Sequence, residues 1–547
     1  MLTSPSQRFT KDRYLKQGNR TMNLNRREFI RLTSLSGLLL PGSVALAQQS
    51  NVDADTQFGR IRGIKAGAVN IFKSVPYGAS TAGANRFMPP RDPVPWREYR
   101  EAFEYGPAAP QSDPATGRQQ DGFESEDCLV LNVWTRGIGD GGKRPVMFWC
   151  HGGGFRTLSG SSPRYDGTNL AMRGDVVVVT INHRLNMMGF THFGDMGHTD
   201  FESSGTVGMQ DIVHALKWVQ NNIEQFGGDP ERVMIFGESG GGRKVATLLG
   251  MPSAKGLFHA AVIESGATLR LPDRENANSL AERVLDELKL SRVNLPQIQQ
   301  LPLNRIMAAY HAVVASNPPT DGGGTFAPTM DGEILPYHPF WPSASPVNPD
   351  VPVIVGANRT EMTYFAEDAA FQLDEAGMRD RVSEIVGQDK LDAVVNVYRQ
   401  ANPDASPAEI YFLVFSDSRY VMQSITIAQR RAALGAGPTY LYYLTWETAE
   451  TGRGAMSPHT LDIPFIFDNA RDHPLTAGSD SAIVLADKIS DTIIEFARSG
   501  NPNMGKLPLW RPYNAETRAT MVWNDSSQVL NDPIGRQREI LLPILSL

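Results

Sequence analysis

Residues 237–241 read G-E-S-G-G and are the part of the chain best suited to chemistry. A serine hydroxyl is a weak nucleophile until a base removes its proton, and a G-x-S-x-G pattern presents such a serine on a tight strand-to-helix turn. Residues 232–236 form a short apolar run typical of a buried parallel strand, and residues 243–249 carry the apolar positions of a helix. This order predicts a nucleophile elbow with Ser239 as nucleophile, rather than a glycine-rich loop with an incidental serine.

A second glycine-rich segment, residues 151–155, reads H-G-G-G-F and follows another apolar, strand-like run at 145–150. A loop of this kind supplies backbone N–H groups that hold the negative oxygen of a tetrahedral intermediate. We therefore assign Gly153 and Gly154 as oxyanion-hole donors and the amide of Gly240 as a third.

The base is expected late in the chain, because the order that accompanies such an elbow is serine, acid, histidine. Of the ten histidines, His459 and His473 follow both the elbow and the next clear strand. His459 lies in a short loop that enters an apolar stretch, where a base can be held and still face a pocket. The neighbours of His473 indicate a solvated turn, so His459 is the predicted base.

The acid is expected just past the end of a strand. Residues 351–356 form an apolar run of that kind, and Glu361 follows it closely. Glu361 is the predicted acid, which would accept the ring N–H of His459 and stabilise the imidazolium. Glu367 and Asp368 are alternatives a little further along. A single glutamate after a strand is usually a solvated surface residue, so the choice depends on the order of the three residues.

These residues, together with several further motifs, resemble the type B carboxylesterase family of α/β-hydrolases, which includes the cholinesterases. The resemblance extends from about residue 58 to residue 525 and implies a central, mostly parallel sheet flanked by helices, with helical insertions over the active site. It implies a Ser-His-Glu triad that hydrolyses carboxylic esters through an acyl-enzyme, with no cofactor and no metal ion. Glutamate is the family's usual acid, which supports Glu361. The other matching segments are 125–129, 131–133, 181–185, 226–230, 459–465, 500–503 and 510–513.

The chain departs from the family pattern at three places. Gly240 stands where the family usually has alanine, although its amide is retained, and His183 replaces the usual tyrosine. The family commonly pairs the cysteine at the position of Cys128 with one upstream, but Ala109 occupies that upstream position. We therefore expect Cys128 and the only other cysteine, Cys150, to be buried free thiols.

The N-terminus reads as an export signal. Residues 25–31 contain a twin-arginine pattern, N-R-R-E-F-I-R, and a modest apolar run from 32 to 46 follows. The sequence A-L-A at 45–47 fits the cleavage pattern, so residues 1–47 are predicted to be a signal peptide that is removed before Gln48. Either Met1 or Met22 could start the chain. An ordinary basic N-terminus or an uncleaved membrane tether is the alternative. The prediction implies the twin-arginine (Tat) translocase as export partner and a periplasmic or secreted protein.

The charge and length of the chain restrict the remaining classes of function and domain organisation. Removal of 1–47, with eight Lys/Arg and two Asp/Glu, changes the formal net charge from −7 to −13. Such a protein is poorly suited to bind nucleic acid or anionic lipid, and no other long apolar segment predicts membrane insertion.

The G-x-G-x-x-G match at 137–142 precedes a strand rather than a helix, which indicates a turn and not a dinucleotide site. Because the candidate residues must converge, 48–547 is predicted to be a single domain. It should begin with a hairpin near 59–63 and carry helical regions at 275–315 and 366–435 over the site.

The predicted activity is hydrolysis of a small-molecule carboxylic ester. In cholinesterases the loop closed by the missing disulfide carries a tryptophan that holds the choline cation. Phe123 is the only aromatic residue between Ala109 and Cys128 in this chain, which disfavours a choline ester. An amide, carbamate or polyester acted on by the same triad is the alternative, and a non-catalytic adhesion protein of the same fold is a more distant one.

Overall fold

The computed structural model of the chain describes residues 50–112, 122–316, 325–450, 452–505 and 507–547. The predicted signal peptide, 1–47, lies outside the described residues. Among the residues described, no helix is both long enough and apolar enough to cross a bilayer.

Within these described ranges, thirteen strands form one sheet, in the order β1-β2-β3-β5-β7-β6-β8-β9-β10-β11-β12-β13, with β4 paired to β2. The strands from β7 to β12 in this order are parallel, and the pairs at both ends of the sheet are antiparallel. The strands are β1 Ser50–Thr56, β2 Gly59–Ala66, β3 Val69–Pro76, β4 Arg100–Glu101, β5 Val130–Thr135, β6 Arg144–Cys150, β7 Val177–Ile181, β8 Gly228–Glu238, β9 Ala260–Glu264, β10 Val353–Asn358, β11 Thr439–Leu444, β12 Ala519–Trp523 and β13 Gln528–Asn531.

The central strands are apolar along their whole length because both faces of the sheet are covered. In β6, Val146, Phe148 and Cys150 belong to one buried cluster, while Met147 and Trp149 belong to a second. Successive side chains of a strand point to opposite faces, so the two clusters are the cores on the two sides of the sheet.

Helices supply the outer layers. The helices are α1 Thr168–Gly174, α2 Asn186–Phe190, α3 Val207–Asn222, α4 Gly240–Leu249, α5 Arg274–Leu288, α6 Leu303–Ser316, α7 Glu375–Val386, α8 Leu391–Ala401, α9 Pro407–Ser416, α10 Met422–Leu434, α11 Ile463–Ile466, α12 Asp480–Ser499 and α13 Gly535–Leu545. One core includes buried residues of α3 and α4, and the other includes those of α1, α11 and α12.

The parallel strands bring the candidate residues to one edge. The segment 151–155 leaves the carboxyl end of β6, Ser239 leaves β8, Glu361 follows β10, and His459 lies in the long connection after β11. In open α/β sheets, ligands bind at this edge, beside the strand order reversal. The topology therefore places sequence-distant segments around one point.

In the part of the chain that the structure describes, only one of the two predicted helical regions lines the cavity beside Ser239. Both predicted regions are helical, but residues of the 366–435 region line the cavity beside Ser239, whereas the described part of 275–315 supplies none of its lining residues. The predicted hairpin is present as β1 and β2, and 137–142 forms a turn before β6. Cys128 and Cys150 are buried free thiols, as expected.

Candidate active site

Ser239 sits on a sharp backbone turn between β8 and α4. Its φ of 56° and ψ of −120° lie in a region that side-chain-bearing residues rarely adopt. The Ser239 N–H donates to the Glu264 carbonyl oxygen of the neighbouring strand over 2.8 Å. A Cβ on Gly241 would overlap the Cys150 carbonyl oxygen, so the turn is pressed directly against the end of β6. The turn can approach β6 this closely because Gly241, two residues after the serine, has no side chain.

The glycine-rich loop after β6 lies against this elbow. Gly153 and Gly154 adopt positive φ values of 81° and 66°. A Cβ on Gly240 would come within 2.5 Å of Gly154 Cα and would overlap its amide nitrogen and carbonyl oxygen. A Cβ on Gly152 would lie 3.7 Å from Ser239 Cβ. The structure thus brings the three assigned amide donors and the serine together, and the departure from alanine at Gly240 coincides with this contact.

His459 and Glu361 are buried and directly paired. The His459 Nδ1–H donates to Glu361 Oε2 over 2.5 Å, and Glu361 Oε1 accepts the Asn358 N–H over 2.7 Å. The carboxylate holds the ring in one orientation, and His459 and Ser239 line the same cavity. Among the described residues, Nε2 has no hydrogen-bond partner.

Glu238, immediately before the serine, is a third member of this cluster that the sequence interpretation missed. Its Oε1 lies 3.2 Å from His459 Nε2, and both side chains are 2% exposed. Burial alone would lower the pKa of His459, but the negative charges of Glu238 and Glu361 outweigh that effect and raise it to about 9. Burial raises the pKa of Glu238 to about 8, against the opposing charge of His459.

Two further buried acids lie behind the triad candidates. Neither carboxylate oxygen of Glu264 has a hydrogen-bond partner in the described part of the chain, and burial raises its pKa well above the usual range. Asp462 Oδ2 accepts the Tyr442 hydroxyl over 2.9 Å, and burial raises the pKa of Asp462 to about 6. Their positions in the sequence could have indicated them, because Glu264 ends an apolar strand and Asp462 lies three residues after His459.

A buried lysine supports the glycine-rich loop from behind. Lys244 lies in α4 with 0% exposure, and its Nζ donates to the His151 carbonyl oxygen over 2.7 Å. The His151 and His183 rings stack with centroids 5.0 Å apart. Burial lowers the pKa of Lys244 to about 7 and the pKa values of both histidines well below their usual range. No local feature of the sequence indicated that Lys244 is buried, and His183 belongs to the same group.

The rejected alternatives lie elsewhere. His473 is half-buried in a turn, where its Nδ1 accepts the Leu475 N–H. Glu367 is exposed. Asp368 forms an ion pair with Arg453 over 2.5 Å. None of the three lines the cavity beside Ser239. The geometry therefore favours His459 and Glu361 over them.

The cavity itself has a volume of about 690 Å³. Ser239, His459, Gly153 and Gly154 line it together with aromatic residues of the 362–423 region. The His459 ring lies 5.0 Å from Phe365 and 5.1 Å from Tyr420, measured between centroids. Among the described residues, no group of three or more His, Cys, Asp or Glu side chains is arranged to hold a metal ion. The space is large enough for a small-to-medium organic substrate.

A mostly parallel sheet, a serine on a strand-to-helix elbow and a facing glycine-rich loop define an α/β-hydrolase. The sequence model of the carboxylesterase family matches residues 49–538, and the chain belongs to that family.

Individual relatives agree with this assignment. Para-nitrobenzyl esterase of Bacillus subtilis (strain 168) is 31% identical over 500 residues, which cover 89% of this chain and 98% of the relative. Phenmedipham hydrolase of Pseudarthrobacter oxydans is 30% identical over 498 residues, or 88% of this chain and 97% of the relative. A crystal structure of a Geobacillus stearothermophilus carboxylesterase at pH 6.2 is similar with a TM-score of 0.76 at 33% identity, covering 89% of this chain and 99% of that one. The chain is a carboxylic ester hydrolase.

The contact between Gly240 and Gly154 leads to a first prediction. Gly240→Ala should lower kcat on a p-nitrophenyl ester by roughly 100-fold, because the added Cβ displaces the loop that carries two of the assigned amide donors. Gly250→Ala, at the far end of the same helix, meets only ordinary contacts and serves as the matched control. An unchanged kcat in Gly240→Ala, with the melting temperature also unchanged, would show that the loop position does not matter.

Proposed function

We propose that Ser239, His459 and Glu361 form the catalytic triad of this esterase, with the N–H groups of Gly153, Gly154 and Gly240 as the oxyanion hole. The observation that carries the proposal is the buried Glu361–His459 pair beside the cavity into which the Ser239 elbow opens. A nucleophile, a base and an orienting carboxylate around one cavity are the arrangement that acyl transfer requires.

In the proposed acylation step, Ser239 Oγ attacks the ester carbonyl carbon while its proton passes to His459 Nε2. The carbonyl oxygen becomes negative and accepts hydrogen bonds from the three glycine amides. When the tetrahedral intermediate collapses, the bond to the alcohol oxygen breaks, and His459 gives its proton to that oxygen. The products are an acyl-enzyme and a free alcohol.

Deacylation repeats these steps with water as the nucleophile. His459 takes a proton from water, the acyl–Oγ bond breaks, and Ser239 Oγ regains its proton as the carboxylic acid leaves. Glu361 accepts the Nδ1 hydrogen bond throughout and stabilises the imidazolium through it. The buried site keeps this charge pair out of bulk water, where it would be weaker.

Replacement of the nucleophile tests the assignment. Ser239→Ala should lower kcat for p-nitrophenyl esters by roughly 1,000-fold or more, because no acyl-enzyme can form, while the melting temperature is retained. The measurement uses purified residues 48–547 and esters with acyl chains from C2 to C12, and Ser253→Ala on the exposed surface is the control.

Matched amide, carbamate and polyester substrates show whether the triad prefers another acyl group. Persistent ester hydrolysis in Ser239→Ala would refute the assignment, and failure of the parent chain to react with an organophosphate would indicate a non-catalytic protein.

Glu238 should set the pH dependence of the reaction. The base must be neutral to accept a proton, so kcat/KM is expected to rise as the pH increases through the raised pKa of His459, near 9. Glu238→Gln removes a negative charge 3.2 Å from Nε2, which makes the imidazolium less stable and should shift the rising limb to lower pH by about one unit. The exposed Glu367→Gln is the matched control. A limb that stays in place or moves to higher pH in Glu238→Gln would contradict this role.

We also propose that the chain is exported through the twin-arginine translocase and acts in the periplasm or outside the cell after cleavage following Ala47. The support is the N-R-R-E-F-I-R sequence with its apolar run, and the two buried free cysteines, which require no oxidising compartment for folding.

Replacement of Arg26 and Arg27 by lysine should retain the protein in the cytoplasm, as measured by cell fractionation. Mass analysis of the exported parent chain should give Gln48 as its first residue, and continued export of the double variant would exclude this route.

A further inference from the structure

The walls of the cavity beside Ser239 carry an unexpected set of charges. Five arginines line it, whereas Glu238 is the only carboxylate side chain among its lining residues. The whole chain, in contrast, has a formal net charge of −7. The cavity is therefore a local cationic region in an acidic protein. The five are Arg156, Arg164, Arg243, Arg270 and Arg419.

Most of these arginines are not held by acidic partners. Two buried arginines elsewhere are ion-paired, Arg86 with Glu126 and Arg184 with Asp211. Within the described ranges, no acidic residue forms an ion pair with Arg156, and its Nε is buried without a hydrogen-bond partner. An internal ion-pair network therefore does not explain why this guanidinium faces the cavity.

Three of the arginines lie over aromatic rings instead, and they too form no ion pair with a described acidic residue. The guanidinium carbon of Arg270 is 4.0 Å from the Trp341 ring centroid, that of Arg419 is 5.8 Å from Phe415, and that of Arg164 is 6.0 Å from Tyr165. A ring that supports the flat face of a guanidinium leaves its N–H edges open to an anion.

The arginines share their cavity with Ser239 and His459. Arg243 lies in the first turn of α4, four residues after Ser239. The charge of Arg164 opposes the burial that raises the pKa of Glu238. Charges of Arg243 and Arg419 act in the same way on the pKa of Tyr420, whose ring contacts His459. An anion bound by these side chains would lie in the cavity that Ser239 also lines.

We propose that the ester hydrolysed at this site carries a second, negatively charged group, a carboxylate or a phosphate, in its acyl or alcohol part. This inference rests on the proposed function of Ser239. Guanidinium groups bind both kinds of oxyanion through paired N–H···O contacts, and a cationic cavity raises the local concentration of an anionic substrate. The same charges repel a cationic alcohol such as choline.

Isosteric substrate pairs test the proposal with the full-length mature chain. In the first pair, 4-acetoxybenzoate is compared with its neutral counterpart 4-acetoxybenzamide. In the second, p-nitrophenyl hemiadipate is compared with the corresponding primary amide, which moves the charge from the alcohol to the acyl part. A third substrate, 4-acetoxyphenyl phosphate, separates phosphate from carboxylate recognition. We expect kcat/KM for the preferred anionic ester to exceed that of its neutral partner by roughly 10-fold or more, the range of a charge-assisted contact.

Salt and charge-removing variants identify the cause of the preference. The ratio of anionic to neutral kcat/KM should fall between 50 mM and 500 mM NaCl, because salt screens exposed charges. It should also fall toward one in a variant that combines Arg164→Gln, Arg270→Gln and Arg419→Gln. Arg97→Gln, at an exposed position outside the cavity, should keep the parent ratio.

The outcomes separate this inference from the proposed function. Equal or faster hydrolysis of the neutral partners in every pair would overturn the inference and leave the esterase assignment intact. A preference for anions that the triple variant retains would also overturn it, because the arginines would not be its source. Failure to detect any Ser239-dependent turnover, with neutral or anionic esters, would overturn the proposed function and this inference together.

Discussion

The active-site edge of the molecule depends on one close backbone approach, the packing of the Ser239 turn against the ends of β6 and β9. A residue held in such a sparsely populated conformation costs on the order of 1–3 kcal/mol, so the surroundings must impose it. The hydrogen bond from Ser239 N–H to the Glu264 carbonyl oxygen and the contact of Gly241 with Cys150 do so. Because the glycine-rich loop begins directly after Cys150, the same contact positions the assigned amide donors relative to the serine.

Around this turn the protein buries an unusual amount of charge. Glu238, Glu361 and Asp462 surround a single imidazole, and Lys244 lies behind the opposite loop. Isolated buried charges are costly, so the protonation of each group depends on that of the others. The histidine is the one group in the acidic cluster that can become positive, and the negative charges of Glu238 and Glu361 stabilise its protonated form. In the proposed reaction, the charges that would stabilise the imidazolium also set the pH at which the ring becomes neutral and can act as the base.

The sequence predicted the local features well and the tertiary ones poorly. Ser239 and the glycine loop are contiguous motifs with mechanical meaning, and chain order then favoured His459 and Glu361, so all of these could be proposed in advance. Lys244 could not be, because nothing local distinguishes a buried lysine in a helix from a surface one. The arginine cluster was equally hidden, since its five members come from four segments that converge only at the cavity. Burial and convergence are properties of the folded chain, not of spacing.

The wide separation of the partners along the chain has a consequence for folding. His459 and Glu361 are 98 residues apart, and Lys244 and His151 are 93 apart. The central strands are parallel, so each pairing must close a long loop before it gains stability. Such topologies fold slowly, and the cavity is complete only when the last of these distant pairings has formed. An export pathway that accepts only folded chains would thus have to wait for the slowest step of folding, and the appearance of esterase activity would mark the end of that step.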